Sequence, residues 1–98
     1  MGFDIEETDF FVAWMEALRD ERARKRIAQR IARLQLGLMG DAKSVGEGVT
    51  EMRIDYGPGY RLYFIRRGIR LVVLLCGGDK ASQPRDIARA KQLAVEWE

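Results

Sequence analysis

The hydrophobic period of this chain changes from helical to alternating near its midpoint, and this change limits the folds open to it. Before residue 40, apolar residues recur at steps of three and four, as on one face of an α-helix. From residue 51 they alternate with polar residues, as in a half-buried strand. We therefore predict an α+β fold in which two N-terminal helices pack on a small antiparallel sheet, a meander, followed by a C-terminal helix.

The N-terminal half predicts a short strand and two helices. Phe3 to Glu6 is a candidate first strand, and Thr8 to Arg19 reads as a helix with Thr8 as its N-cap. A second helix opens at Asp20 and ends near Gly37 and Gly40, with Gly40 as the expected left-handed cap. Its apolar residues form one narrow stripe: Ile27, Ile31, Leu34 and Leu38.

The C-terminal half predicts three strands and a closing helix. After a loop from Lys43 to Gly48, a strand around residues 51–56 leads into a turn at Asp55 to Gly59, and a second strand runs from Tyr60 to Arg66. A two-residue hairpin at 67–68 leads to a central strand, Ile69 to Cys76, which Gly77 and Gly78 end. The closing helix starts at Pro84, capped by Ser82 or Gln83. Its expected buried face comprises Ile87, Ala90, Leu93, Ala94 and Trp97.

A hairpin centred on Gly57 places charged residues opposite each other. Arg53 then faces Arg61, and Glu51 faces Tyr63, on one side of the sheet. Two facing arginines repel, so an anion or Glu51 is expected between them. The two-residue hairpin would add Arg70 to the far end of this surface, and Lys80 follows just beyond the central strand. This pattern suits RNA backbone binding, with Tyr63 stacking on a base or transferring a proton, but it also suits an ordinary solvated face.

Charge is unevenly distributed along the N-terminal half. Residues 1–18 carry five acidic side chains and no Lys or Arg, whereas residues 19–33 carry seven basic and two acidic side chains. Arg22, Arg26, Arg30 and Arg33 form a stripe about 100° from the apolar one. This stripe predicts either a surface for RNA or another acidic partner, or a solvated helix face.

The composition excludes several classes of function. The chain has no histidine, which rules out Ser-His-Asp triads, paired-histidine ribonuclease chemistry and ordinary histidine-containing zinc sites. The single cysteine, Cys76, lies in an apolar run and is expected in the core. That run is far shorter than a membrane span, and the N-terminus is acidic where a secretory signal is basic, so a single cytoplasmic domain over residues 1–98 is expected.

Several motifs in one order resemble a known family. They are the segment from Val49 to Phe64, the apolar run from Leu71 to Leu75, Gly-Gly-Asp-Lys at 77–80, the segment from Pro84 to Ala90, and Arg-Ile-Ala-Arg-Leu at 30–34. Together they resemble the HigB-like addiction-module killer proteins of the RelE/ParE superfamily, toxins of type II toxin-antitoxin systems.

The resemblance implies a RelE/ParE-like domain that cuts messenger RNA on the ribosome without a metal or other cofactor. It also implies an antitoxin with a helix-turn-helix domain as partner. By position, Arg61 resembles the arginine that contacts the scissile phosphate, with Arg53 and Lys80 as further basic residues. Residues expected to bind RNA or the ribosome are Arg22, Arg26, Arg30, Arg33, Lys43 and Arg70.

Two other functions remain open at this point. One is a ParE-like inhibitor of DNA gyrase, which binds a protein and performs no RNA chemistry. The other is an inactive nucleic-acid-binding module.

Overall fold

A computed structural model describes residues 2–97 and has three helices and five strands. In chain order these are β1 (Asp4–Glu7), α1 (Asp9–Ala17), α2 (Glu21–Gln35), β2 (Ala42–Gly46), β3 (Val49–Ile54), β4 (Tyr60–Arg67), β5 (Leu71–Gly78) and α3 (Gln83–Glu96). The α+β class predicted from the hydrophobic periods is confirmed.

The sheet is mixed rather than a purely antiparallel meander, which corrects the prediction. Its strand order is β1-β5-β4-β3-β2, and β1 pairs with β5 in parallel. The N–H of Asp4 donates to the Arg70 carbonyl at 2.7 Å, and the N–H of Thr8 to the Leu74 carbonyl at 3.0 Å. These bonds dock the start of the chain on β5, so the candidate strand near Phe3 is an integral part of the sheet.

The segment predicted as a loop, Lys43 to Gly48, contains most of the edge strand β2. Gly46 pairs with Val49, so Glu47 and Gly48 form a two-residue turn in which both have positive φ. Turns of this kind match the twist of a hairpin. Pairing with β3 stabilises β2, although the strand buries little apolar surface of its own.

Each face of the sheet has its own hydrophobic core. Helices α1 and α2 cover one face, where the buried residues are Phe11, Ile27, Leu34, Met52, Ile54, Leu62, Phe64, Val72 and Leu74. Helix α3 covers part of the other, where they are Val49, Tyr63, Ile65, Val73, Leu75, Cys76, Ala90 and Ala94. The predicted double coverage of the last strand is confirmed. Burial raises the pKa of the Cys76 thiol to about 12, consistent with a core residue.

The helix starts follow the predicted caps, but the end of α2 does not. Thr8 and Asp20 accept backbone N–H bonds at the starts of α1 and α2. The last residue of helix α2 is Gln35. Gly37, two residues later, has left-handed backbone angles and donates its N–H to the Leu34 carbonyl. Gly37 is therefore the cap in place of Gly40, and Leu38 is 59% exposed rather than part of the buried stripe.

The hairpin between β3 and β4 has the predicted register, whereas the next one does not. Arg53 pairs with Arg61 and Glu51 with Tyr63. Arg67 pairs with Leu71, so the following turn has three residues, 68–70, and a bulge between Tyr63 and Phe64 shifts the register again. This longer turn leaves Arg70 exposed in the loop rather than on the sheet face.

The two glycines expected to end β5 belong to the strand. Their missing side chains make room for neighbours on opposite faces of the sheet. A Cβ on Gly77 would overlap the indole of Trp14 from α1, and a Cβ on Gly78 would overlap the Asp86 carboxylate from α3. Both helices therefore approach the end of β5 closely because this end carries no side chains.

We expect Gly77→Ala to reduce the free energy of unfolding by roughly 1–3 kcal/mol, because the new methyl group must displace Trp14. In a Trp14→Ala background the same change is expected to cost less than half as much. Urea denaturation of the four proteins of this double-mutant cycle measures the difference. Equal losses in the free energy of unfolding in both backgrounds would show that the contact with Trp14 is not the reason why residue 77 is a glycine.

Candidate functional site

A buried carboxylate organises the face of the sheet that α3 leaves partly open. Glu51 lies in β3 with no exposed surface. It accepts hydrogen bonds from Gln83 Nε2 at 2.8 Å, from the Tyr63 hydroxyl at 3.1 Å and from Arg53 Nε at 3.2 Å. Strand alternation puts Glu51 and Arg53 on one face, and the register brings Tyr63 and Arg61 beside them.

Arg61 is buried next to this carboxylate with one donor unused. Only 8% of Arg61 is exposed. Its Nη1 donates to the Gly59 carbonyl at 2.7 Å, which holds the guanidinium in place. Its Nε lies 3.7 Å from Glu51 Oε2 and has no hydrogen-bond partner among residues 2–97. An ion pair with Glu51 and a hydrogen bond to the Gly59 carbonyl therefore fix the guanidinium beside the carboxylate.

Two lysines complete a positive surface around Glu51. Lys43 of β2 pairs with Glu51, so its exposed side chain belongs to the same face. The backbone N–H of Lys80 donates to the Pro58 carbonyl at 3.3 Å. A Cβ on Gly59 would lie 3.1 Å from Arg61 Nη1 and 3.5 Å from Lys80 Cβ, so these two residues are neighbours. We call Lys43, Arg53, Arg61 and Lys80 the basic cluster.

The electrostatics of this network leave little room for acid–base chemistry by its buried members. Burial alone would raise the pKa of Glu51, but hydrogen bonds from Gln83, Arg53 and Tyr63 and the charge of Arg61 outweigh it, so the pKa is lowered. Burial, followed by the Glu51 charge, raises the pKa of Tyr63 far above its usual range. At neutral pH, Glu51 is therefore ionised and Tyr63 protonated, and both hold the arginines in position.

The four residues predicted as catalytic lie together, but Tyr63 does not have the expected surroundings. Arg53, Arg61 and Lys80 meet at one end of the β3–β4 hairpin, with the side chain of Arg53 39% exposed. Tyr63 has no exposed surface, so stacking on a base is not available to it. Gln83 was not predicted as part of the site. Its position directly before Pro84 indicates a helix start, but only the fold brings that start to Glu51.

The basic residues of α2 form a separate surface, in which Arg30 alone bonds to the backbone of β3. Helix α2 packs on the opposite face of the sheet from the basic cluster. Arg22, Arg26 and Arg33 are exposed, with the Arg26 guanidinium 4.8 Å from the centroid of the Tyr56 ring. Arg30 instead donates to the carbonyls of Arg53 at 2.6 Å and Met39 at 3.0 Å.

The bonds of Arg30 give it a structural role. Burial lowers its pKa, Asp41 raises it and Arg33 lowers it further. Arg30 thus joins α2 to the backbone of β3 through two of its donors, and its binding of RNA stays a prediction.

Arg70 lies apart from the basic cluster. It is exposed in the turn between β4 and β5, whereas Arg61 lies near the opposite end of β4. Arg67 is six positions after Arg61 in β4, which corresponds to about 20 Å at the usual rise per residue. Lys43, in contrast, lies beside Glu51 as described above.

Comparison with known proteins assigns the family. Residues 13–95 match the family described as Phage derived protein Gp49-like (DUF891). The chain belongs to this family. It is a family of addiction-module toxin-like proteins. The matched region spans all of β2 to β5 and nearly all of α3, and so includes every residue of the basic cluster.

A relative in another bacterium matches almost the whole chain. An uncharacterised protein of Haemophilus influenzae strain Rd is 49% identical over 96 residues, which cover 98% of this chain and 97% of the relative. Within residues 2–97, no helix is long and apolar enough to cross a membrane. In the same part of the chain, no group of three or more Cys, Asp or Glu side chains is placed to hold a metal ion.

We expect Glu51→Gln to lower the free energy of unfolding at pH 7 by roughly 1–3 kcal/mol, because Arg53 and Arg61 lose their shared carboxylate. The folded-state pKa of Glu51 is below the usual 4.5, so its contribution is present above about pH 4.5 and is lost as pH falls through the folded-state value. The difference between wild type and variant should therefore shrink between pH 5 and about pH 3.

Urea denaturation across this pH range measures the effect. The matched control is Glu47→Gln, whose carboxylate is 65% exposed and forms a surface ion pair with Lys91 at 3.4 Å. This control should change stability by less than about 1 kcal/mol at any pH. A Glu51→Gln protein as stable as wild type at pH 7 would contradict the central place given to this carboxylate.

Proposed function

We propose that this chain is the toxin of a type II toxin-antitoxin system, HigB-like within the RelE/ParE superfamily. In this proposal it acts as a metal-independent, ribosome-dependent endoribonuclease, an mRNA interferase that inhibits translation. Its antitoxin is a helix-turn-helix protein encoded by a neighbouring gene. Membership of a family of addiction-module toxin-like proteins supports the toxin function.

The observation that carries the RNA-directed function is the basic cluster, in which Lys43, Arg53, Arg61 and Lys80 lie around Glu51. A phosphate on this surface meets the exposed part of Arg53 and lies near Lys80, and the buried charge of Arg61 adds to the attraction. The four cations outnumber the Glu51 charge that they surround, so the surface attracts polyanions. Arginine forks also match phosphate geometry better than lysine does.

The arrangement suits cleavage by charge stabilisation. The 2′-hydroxyl of the substrate attacks its own 3′-phosphate in line, loses its proton and expels the 5′-oxygen of the next nucleotide, which gains a proton. A 2′,3′-cyclic phosphate and a 5′-hydroxyl result. Arg61, Arg53 and Lys80 stabilise the additional negative charge that develops on the phosphate oxygens.

Proton transfer is the step for which the buried residues are unsuited. Glu51 is occupied by three hydrogen bonds, and Tyr63 holds its proton tightly. Water or groups of the ribosome then accept and supply the protons, and the ribosome fixes the in-line geometry of the message. Because the ribosome fixes the in-line geometry, we expect cleavage of free RNA to be weak.

The exposed arginines of α2 supply a second contact in this proposal. Arg26, Arg30 and Arg33 line a cleft of about 340 Å³ between α2 and the end of β3, which also includes Ile54 and Asp55. Together with Arg22 they lie on a helix that packs on the opposite face of the sheet from the basic cluster. In this proposal they hold ribosomal RNA while the basic cluster holds the message.

We expect Arg61→Ala to abolish growth arrest and messenger cleavage when the chain is expressed in a bacterial host. RNA 5′ ends are mapped with translation running and with translation blocked. The wild type should produce new ends only while ribosomes translate. Lys25→Ala is the matched control, because it removes one exposed cation from α2 outside the stripe and the basic cluster. Growth arrest with intact RNA in the wild type would contradict the proposal and direct attention to DNA gyrase.

We expect Tyr63→Phe to retain cleavage within about tenfold of wild type, because the hydroxyl positions Glu51 and does not transfer the reacting proton. Loss of this hydrogen bond to a buried carboxylate should reduce the free energy of unfolding by roughly 1–3 kcal/mol. The same 5′-end mapping and urea denaturation measure the two effects. A folded Tyr63→Phe protein as inactive as Arg61→Ala would instead establish Tyr63 as a proton-transfer group.

A further inference from the structure

A cleft of about 460 Å³ opens beside the C-terminal end of β5, between α1 and α3. It exists because β1 ends at Glu7, opposite Leu74, so β5 continues beyond its neighbouring strand. Gly77 and Gly78 lie at this end of β5 and line the cleft with backbone. None of the roles proposed above uses this space.

The walls of the cleft combine aromatic rings with unpaired arginines. Phe10 and Trp14, one turn apart on α1, line one side, and Arg85 and Arg89, one turn apart on α3, line the other. Phe10 is 49% exposed, and the Arg89 guanidinium lies 5.0 Å from the centroid of its ring. Neither arginine forms an ion pair with a carboxylate of residues 2–97. Aromatic rings beside free guanidinium groups suit a base and its phosphate.

A buried hydrogen-bond acceptor in the cleft provides selectivity among the four bases. Asp86 is 7% exposed, lies where a side chain on Gly78 would lie, and accepts a hydrogen bond from the Ser82 hydroxyl. Its carboxylate lines the cleft. A carboxylate on the wall of a base pocket favours bases with an exocyclic amino group, which are adenine, cytosine and guanine, over uracil.

The cleft and the basic cluster are neighbours across one strand. Gly78 is the Cα partner of Arg61, and adjacent strands lie about 4.8 Å apart. Asp86 follows Gln83, which contacts Glu51, by one turn of α3. An RNA chain with a phosphate at Arg61 therefore reaches the cleft with an adjacent nucleotide.

We propose that this cleft binds the base and phosphate of an RNA nucleotide adjacent to the cleaved bond, with Phe10 and Trp14 against the base and Arg85 and Arg89 on the phosphate. The position relative to the cut rests on the proposed ribonuclease function. Binding of a nucleotide in the cleft does not, so the two are tested separately.

The test is fluorescence of purified protein titrated with each of the four ribonucleoside 5′-monophosphates. The chain has two tryptophans, so Trp97→Phe leaves Trp14 as the reporter. Adenylate, cytidylate and guanylate should quench Trp14 saturably, and uridylate more weakly. In this background, Arg89→Ala and Arg85→Ala should each weaken binding about tenfold, equivalent to one charge-assisted hydrogen bond. Lys25→Ala should leave binding unchanged.

The controls separate the possible failures. Absence of saturable quenching by any of the four nucleotides, or saturable quenching that both α3 variants preserve, would overturn the cleft as the binding site. Inorganic phosphate should compete without quenching. Saturable binding in the cleft by a protein that cuts no RNA in cells would support the site and overturn only the ribonuclease function.

Discussion

The structure of the basic face depends on the burial of one charge, Glu51. A carboxylate with no exposed surface is stable only when its oxygens are well bonded, and Glu51 receives bonds from β3, β4 and α3 at once. The same contacts allow Arg53 and Arg61 to lie opposite each other without repelling. The pairing of this buried charge thereby fixes the positions of two guanidinium groups.

The surroundings of Glu51 and Tyr63 fix their protonation states near neutral pH. Hydrogen bonds and nearby positive charge keep Glu51 ionised, while that ionised carboxylate opposes ionisation of Tyr63. These residues therefore position charge and do not exchange protons near neutral pH. In the proposed function, RNA cleavage by a chain without histidine depends on geometry and electrostatics, and much of the required orientation comes from the substrate's own surroundings.

The two faces of the sheet differ in how far helices cover them. Helices α1 and α2 cover one face with a broad apolar core, whereas α3 covers the other only in part and leaves the ends of β3 and β4 open. The glycines at the end of β5 let Trp14 and Asp86 approach from opposite faces, so the open region borders both helices. Arg53 and Arg61, the residues proposed to bind phosphate, thus lie on strands that are packed on both faces of the sheet.

Local patterns in the sequence determined the helices, their N-caps at Thr8 and Asp20, and the register that places Arg53 opposite Arg61, because side-chain period and turn length act over a few residues. The tertiary structure alone decided the parallel pairing of β1, the strand β2 and the register of β5. Each depends on hydrogen bonds to a partner strand, on a three-residue turn or on a bulge, none of which leaves a clear local pattern. It also decided that Tyr63 is buried, that Gln83 bonds to Glu51 and that Arg30 bonds to the backbone of β3. Burial and pairing are properties of residues far apart in the chain, brought together only when the helices pack on the sheet.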